Sequence, residues 1–484
     1  MLIVTIDKKQ YEYDIHSLVK AFYPEEDVTL VLEEDRNQGS SPYLEIQYGE
    51  AEIILLCHSR VDGQDRTDNI KLIKPEDKGS VRNQLKQLLY RVLSADTGKT
   101  LPWGTLTGIR PTKIPMGMLE ENKSEEVILQ TMKDIYAISE EKAKLSIDIA
   151  KREKEILSAI HYKEGYSVYI GIPFCPTTCL YCSFTSYPIS VWKKQVDAYL
   201  DALEREIDYV ATAFRDKILD SVYIGGGTPT TLEAEQLDRL LYKIRQSFDM
   251  TQVLEFTVEA GRADSITRDK LKVMQKHHVT RISVNPQTMK DATLCLIGRQ
   301  ASVTQVIDAY HMAREEGFTN INMDIILGLP EETKEDVMRT MEAIQRLRPD
   351  SLTVHSLAIK RASRMQEWIE QNGITTLRNT AETMQIAAKG ATEMGMEPYY
   401  LYRQKNMSGN FENVGYATKG NYGIYNILIM EEKQSIMALG AGSISKAVFE
   451  GNRIERDDNV KDVGLYIERI DEMIERKRKL FEQA

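Results

Sequence analysis

Between residues 167 and 354 the chain alternates short apolar runs with amphipathic helical stretches, and this beat restricts its fold more than any other feature. The runs fall at 168–172, 221–224, 253–258, 281–284, 321–327 and 351–354. Helical patterns fill the intervals at 191–214, 233–248, 267–276, 303–316 and 334–347. Strands buried on both faces read as continuous apolar runs, and a parallel pair needs a long crossover, usually a helix. Six such βα units predict an α/β protein whose core is a partial, three-quarter (β/α)6 TIM-like barrel. In such folds ligands gather at the carboxyl ends of the strands, so the beat gives every polar motif a position to be judged by.

Around this core, assigned to 165–360, the rest of the 484 residues divides in three. Residues 1–100 alternate short strands with a helix near 80–94 and predict a small α+β domain. Residues 101–164 read as a linker and helical segment, and 361–484 as a C-terminal extension that covers the substrate. The helices after Asp462 are amphipathic and charged, which suits a closing lid or a subunit contact. A formal charge of −11 argues against nucleic acid or an anionic membrane as the main partner, so an acidic substrate requires local cations. No stretch approaches the roughly 18 uncharged apolar residues of a membrane span. With no secretory pattern at the start either, the expectation is a cytoplasmic chain with reduced thiols.

Three of the five cysteines, Cys175, Cys179 and Cys182, follow the first core strand within the run that begins at Tyr169. Thiolates so spaced can close round a cubic iron–sulfur cluster, and three ligands leave its fourth iron open. A structural zinc needs four ligands, and no fourth cysteine is near. Cys57 and Cys295 are isolated and expected to be small core residues. After the second strand, Gly225-Gly-Gly-Thr-Pro229 lets backbone approach a ligand without Cβ atoms in the way. Glu259 ends the third strand motif, Asn285 and Gln287 follow the fourth, and Asp324 lies in the fifth. An acid inside an apolar strand is costly unless hydrogen-bonded. Polar groups at successive strand ends point to a zwitterionic cofactor spread across the barrel mouth, with Arg299 as a bidentate partner for a carboxylate. Lys360, Arg361 and Arg364 after the sixth strand, and Arg403 and Lys405 beyond, are the cations for an acidic substrate.

Together the cysteine triplet with Tyr181, the Gly-Gly-Gly-Thr-Pro turn and the Glu, Gln, Arg and Asp at strand ends resemble the radical S-adenosylmethionine superfamily. Their order is similar to the oxygen-independent coproporphyrinogen III oxidase group, and the stretches 400–407, 412–416 and 438–446 resemble its HemZ-type branch. The resemblance implies a [4Fe–4S] cluster on Cys175, Cys179 and Cys182, whose open iron chelates S-adenosylmethionine. It further implies Gly226, Gly227 and Thr228 at the methionine amino group, Glu259 and Arg299 at its charged end, Gln287 and Asp324 on the ribose, and Tyr169 and Tyr181 bordering the cofactor. One electron from a flavodoxin- or ferredoxin-type donor would split the sulfonium. The resulting 5′-deoxyadenosyl radical would take a hydrogen from a propionate of the tetrapyrrole, and loss of carbon dioxide and an electron would leave a vinyl group. Two features depart from the pattern. Phe184 stands where the decarboxylating branch has a further cysteine, as in the related haem-chaperone branch, yet 421–425 lacks that second branch's His-Asn and Tyr-Trp pairs. A haem-binding protein that retains the fold, and a radical enzyme for another tetrapyrrole, stand as alternatives.

Overall fold

A computed structural model describes residues 1–35, 41–184, 186–360, 363–373, 377, 379–404 and 410–482. Its contacts divide the chain into two units, one of residues 1–151 with 401–412, the other of 152–400 with 413–484.

The first unit carries β1 (Leu2–Ile6), β2 (Val28–Leu32), β3 (Leu44–Tyr48), β4 (Glu52–His58) and β5 (Asp65–Lys71), in the sheet order β2-β1-β3-β4-β5. Alternation along β4 turns Ile53, Leu55 and Cys57 inward, onto Leu85, Leu88 and Leu89 of the helix Lys78–Thr97. Asp77 caps that helix by accepting from Gly79 N, and Gly98 ends it at φ 66°. Segment 401–412 is fastened here: buried Glu412 accepts from Trp103 Nε1 at 2.8 Å and from Lys142 Nζ at 2.7 Å.

The second unit holds β6 (Gly165–Ile172), the short pair β7 (Phe174–Cys175) and β8 (Tyr187–Pro188), β9 (Ile218–Gly226), β10 (Glu255–Gly261), β11 (Arg281–Val284), β12 (Ile321–Leu327) and β13 (Ser351–Ser356). Then come β14 (Glu397–Tyr402), whose last two residues count with the first unit, β15 (Asn413–Ala417), β16 (Ile436–Leu439), β17 (Ile444–Val448) and β18 (Ile454–Asp458). All but β7 and β8 join one open sheet, β14-β15-β13-β12-β11-β10-β9-β6-β16-β17-β18. The six strands of the beat run parallel and lie in sequence order, which makes the fold α/β. The sheet does not stop at six. β16 adds a parallel strand beside β6, β17 and β18 continue it antiparallel, and β15 pairs antiparallel with β13 at the other side.

Helices flank the core strands, and three of them, Ala234–Ser247, Val303–Glu315 and Lys334–Leu347, start with capping boxes, at Glu233, Ser302 and Thr333. The terminal helices Val463–Glu468 and Ile470–Phe481 pack on the helix Val196–Ala213. Fully buried Glu206 accepts from Tyr466 OH at 2.6 Å, Gly440 N at 2.8 Å and Asn459 Nδ2 at 2.8 Å, and pairs with Lys477 at 2.5 Å. A buried ion pair thus ties the last of these helices to its own unit. Among the described residues no helix is long and apolar enough to cross a membrane.

Candidate cofactor site

Cys175 lies on β7, directly after β6, and the loop that follows brings Cys179 and Cys182 round by a turn in which Cys182 N donates to Cys179 O at 3.2 Å. Cys175 and Cys179 are buried and Cys182 is half-buried. Burial pushes the Cys175 and Cys182 thiols up, and each is pushed further by its neighbouring cysteines. The loop is tied at several points: Thr177 Oγ1 donates to Gly298 O at 2.8 Å, Leu180 N to Ile297 O at 2.9 Å, and Arg364 Nη2 to Thr178 O at 2.7 Å. Cys295 is exposed, against the expectation of a core position, because the helix Asp291–Leu296 buries Thr293 and Leu294 instead.

The glycine turn at the end of β9 is bonded to the start of this loop. Gly227 N donates to Ile172 O at 2.8 Å and Thr228 N to Phe174 O at 2.7 Å. Thr228 Oγ1 lies 3.5 Å from Cys175 Sγ. A Cβ on Gly227 would sit 2.5 Å from Phe174 O and 3.0 Å from Cys175 Sγ, and Gly226 has φ 107°. With those two N–H groups used, what the turn has left for a ligand's amino group is carbonyl oxygen, the polarity that N–H donors require.

Glu259 and Asp324 lie on β10 and β12, Asn285 and Gln287 follow the end of β11, and Arg299 lies in the turn after the helix Asp291–Leu296. Glu259 accepts from Tyr223 OH, and burial, with the Asp324 charge adding to it, pushes its carboxyl up to about 7 against that hydrogen bond. Asp324 stays below its usual value, because His355 and hydrogen bonds from Asn322 and Thr353 outweigh its burial. Gln287 N donates to Asp324 O at 2.9 Å, and Gln287 holds the left-handed region at φ 68°. Arg299 donates from Nη1 to Asn285 O at 2.5 Å and from Nη2 to Tyr181 OH at 3.2 Å. Asn285 Oδ1, Gln287 Oε1 and Arg299 Nε are buried with no hydrogen-bond partner. Buried polar groups are nearly always satisfied, so two acceptors left open past the end of β11 and a donor left open on Arg299, which is bonded to Asn285 O, describe a seat for a polar ligand. The Gly227 cradle and these open groups fit S-adenosylmethionine beside a cluster; the three thiols supply the chemistry a [4Fe–4S] cubane takes, one per iron.

Tyr169 stacks on Tyr223 at 6.2 Å and on Tyr425 at 6.0 Å, and Tyr223 and Tyr425 stack at 4.4 Å. Sequence reasoning named only the first of the three. Alternation puts Tyr223 on the face of β9 that carries Gly225, and the register that pairs Tyr169 with Tyr223 supplies the rest. Lys360 Nζ lies 5.4 Å from the centroid of the Phe184 ring, and burial holds its ammonium below the usual lysine range, with Cys182 acting against that. Arg364 is exposed and, besides holding Thr178 O, lines a cleft of about 1050 Å³ with Pro176, Pro188 and Leu294. Arg403 belongs to the first unit, where it is buried and donates to Leu106 O at 2.5 Å and Asn410 O at 3.2 Å. Arg361 and Lys405 lie outside the described residues.

The Radical SAM superfamily profile matches residues 169–344. The chain is 40% identical over 408 residues to the Bacillus subtilis oxygen-independent coproporphyrinogen-III oxidase-like protein HemZ, covering 83% of this chain and 81% of that protein. It is also 32% identical over 258 residues to the Bacillus subtilis heme chaperone HemW, covering 53% of this chain and 65% of HemW. The solved structure of Escherichia coli coproporphyrinogen III oxidase HemN, a radical SAM enzyme, shares the fold, with a TM-score of 0.52 at 23% identity over 66% of this chain and 73% of that one. An iron–sulfur cluster and S-adenosylmethionine are what the superfamily implies, and the chain belongs to the oxygen-independent coproporphyrinogen-III oxidase-like HemZ family of the radical SAM superfamily.

Proposed function

We propose that this protein is a radical SAM oxidoreductase that converts propionate side chains of coproporphyrinogen III to vinyl groups without oxygen, in porphyrin synthesis. The observation that supports this most is the set of open polar atoms on Asn285 and Gln287, past the end of β11, and on Arg299, whose turn is bonded to the three-thiol loop. Cys175, Cys179 and Cys182 would hold the cluster, and a flavodoxin- or ferredoxin-type protein would reduce it. When bound, the cluster and S-adenosylmethionine supply one-electron reduction and hydrogen-atom abstraction.

The chain's own residues bind and orient. Carbonyls of the turn at Gly226, Gly227 and Thr228, with Glu259, would accept from the N–H groups of the ligand's amino group, and Arg299 would take its carboxylate in a charge-assisted bond. Asp324, held ionised by His355, and Gln287 would accept from ribose hydroxyls. Tyr169 and Tyr181 would border the bound cofactor. Lys360, near Phe184, offers a cation to a substrate propionate within reach of the cluster loop; Arg361 and Arg364 are the further candidates of this kind. A charge-assisted contact is worth about 1.5–3 kcal/mol, enough for one or two to orient a carboxylate.

The test is an anaerobic assay of reconstituted protein with coproporphyrinogen III, reading 5′-deoxyadenosine and vinyl products by mass. Both are expected in the complete reaction and neither in Cys179→Ala. A second reading, a haem-binding protein, is favoured by the HemW relative and by Phe184, which is 69% exposed beside the loop. Tight stoichiometric haem binding without vinyl product would replace the enzyme reading with this one.

A further inference from the structure

A buried ion pair holds the cysteine loop, and the cofactor contacts proposed above leave it unused. Arg262 is 4% exposed and belongs to the segment that follows β10. Its Nε and Nη2 donate to Asp264 at 3.0 and 2.6 Å. Its Nη1 donates to Thr177 O at 2.9 Å and Thr177 Oγ1 at 2.8 Å, and lies 3.9 Å from Cys179 Sγ. Every edge of the guanidinium is thus committed to the protein, so no fork remains for a ligand carboxylate. Arg299 differs in this respect, since its buried Nε has no partner. Cluster potentials respond to net charge and to hydrogen bonds on the ligating sulfurs. An electron added to the cluster is negative charge placed beside the cation in a poorly screened interior.

We propose that Arg262 is a positioning residue that fastens the cysteine loop through Thr177 and raises the reduction potential of a cluster bound at Cys179, with Asp264 as the opposing charge that limits the rise. The proposal rests on the cluster reading above. Removing the Arg262 donor disfavours the reduced state, whereas neutralising Asp264 leaves the guanidinium less compensated and favours it.

The experiment compares reconstituted wild type, Arg262→Gln, Arg262→Lys and Asp264→Asn, titrated anaerobically with dithionite through low-potential viologen mediators, with the reduced cluster read by electron paramagnetic resonance. At a fixed poise Arg262→Gln is expected to show a tenfold lower reduced-to-oxidised ratio, a midpoint about 59 mV lower for one electron. Arg262→Lys recovers part of this, and Asp264→Asn moves the midpoint the opposite way. Wild-type midpoints in both Arg262→Gln and Asp264→Asn overturn the proposal. Where Arg262→Gln takes up no iron, the direction of the Asp264→Asn shift decides. Loss of iron from all three variants, with the fold intact by circular dichroism, supports the fastening and overturns the tuning. Wild type that takes up no iron or sulfide removes the cluster reading itself, a result distinct from variants that titrate alike.

Discussion

Tyr223 donates its phenolic hydrogen to Glu259 across two neighbouring parallel strands, and Gly225 is what leaves room for that bond. A Cβ on Gly225 would lie 2.8 Å from Glu259 Oε2 and 2.9 Å from Tyr223 Cε1. The middle of the sheet therefore carries an acid whose charge the surroundings oppose, held by one hydroxyl and facing a second carboxylate at Asp324.

This arrangement gives a pH dependence of definite sign. Glu259 is pushed from 4.5 to about 7 in the folded protein, so the folded state is unpenalised below pH 4.5 and loses stability as pH rises from 4.5 towards 7. The displacement is worth roughly 3 kcal/mol. Glu259→Gln is expected to stabilise the cofactor-free protein by up to that amount at pH 8 and hardly at pH 4.5, measured by urea unfolding at both. A cationic ligand reverses the preference, so S-adenosylmethionine affinity should strengthen as pH passes through about 7 and lose that dependence in Glu259→Gln; calorimetry at pH 6 and 8 would show an unchanged slope if the carboxyl does not meet the ligand.

The glycine turn should separate two effects. Gly227→Ala drives a Cβ to 2.5 Å from Phe174 O, a backbone atom that cannot turn aside, so the cysteine loop must move. We expect a loss of about 1–3 kcal/mol in stability and of most iron uptake on reconstitution. Gly225→Ala meets side chains of Glu259 and Tyr223 instead, and is expected to keep its iron while weakening S-adenosylmethionine binding. Equal iron content in the two variants would contradict this division.

The strand ends were largely legible in the sequence, and what lay between them was not. The bounds 281–284 and 321–327 coincide with β11 and β12, because the alternation of Ile282 and Val284 with polar residues, and the run Ile325-Ile326-Leu327, are local signals. The seventh parallel strand, β16, escaped notice since the four residues Ile436–Leu439 carry no period and pair with β6, far back in the chain. The tyrosine stack and the bonds of Arg262 to Thr177 depend on register and on long-range approach, which spacing along the chain does not encode. Cys295 went wrong for a simpler reason: free cysteine is usually buried, and a six-residue helix offers too few positions to read which face turns inward.

Tyr425 owes its place to a distant acid. Glu255, at the start of β10, accepts from Ile424 N at 2.6 Å and Tyr425 N at 3.3 Å, capping the helix Ile424–Glu431, which has no side-chain cap of its own. Glu255→Ala leaves those donors open and takes a counter-charge from buried Arg281, so a loss of about 3–5 kcal/mol is expected by chemical denaturation. Glu255→Gln keeps an acceptor there and should lose less. Near-ultraviolet circular dichroism should change in both variants as the stack of Tyr169, Tyr223 and Tyr425 loosens, and an unchanged tyrosine signal would show that the cap does not set the stack.

Lys477 tests whether the terminal helix is part of the fold's foundation. Its ammonium is 2.5 Å from Glu206, and both residues are almost wholly buried, so Lys477→Met strands a carboxylate among neutral donors. Removing one partner of a buried pair typically costs about 3–5 kcal/mol, whereas replacing both by apolar groups of similar size is often close to neutral. Here Glu206 also accepts from Tyr466, Gly440 and Asn459, so those donors lose their partner whenever the carboxylate goes. Lys477→Met is therefore expected near the low end of that range, and the double variant Glu206→Gln with Lys477→Met, which keeps an acceptor and removes the charge, should recover more than half of the loss. A double variant no more stable than the single one, by guanidinium unfolding, would mean that Glu206 is held by its neutral donors and that the ion pair contributes little.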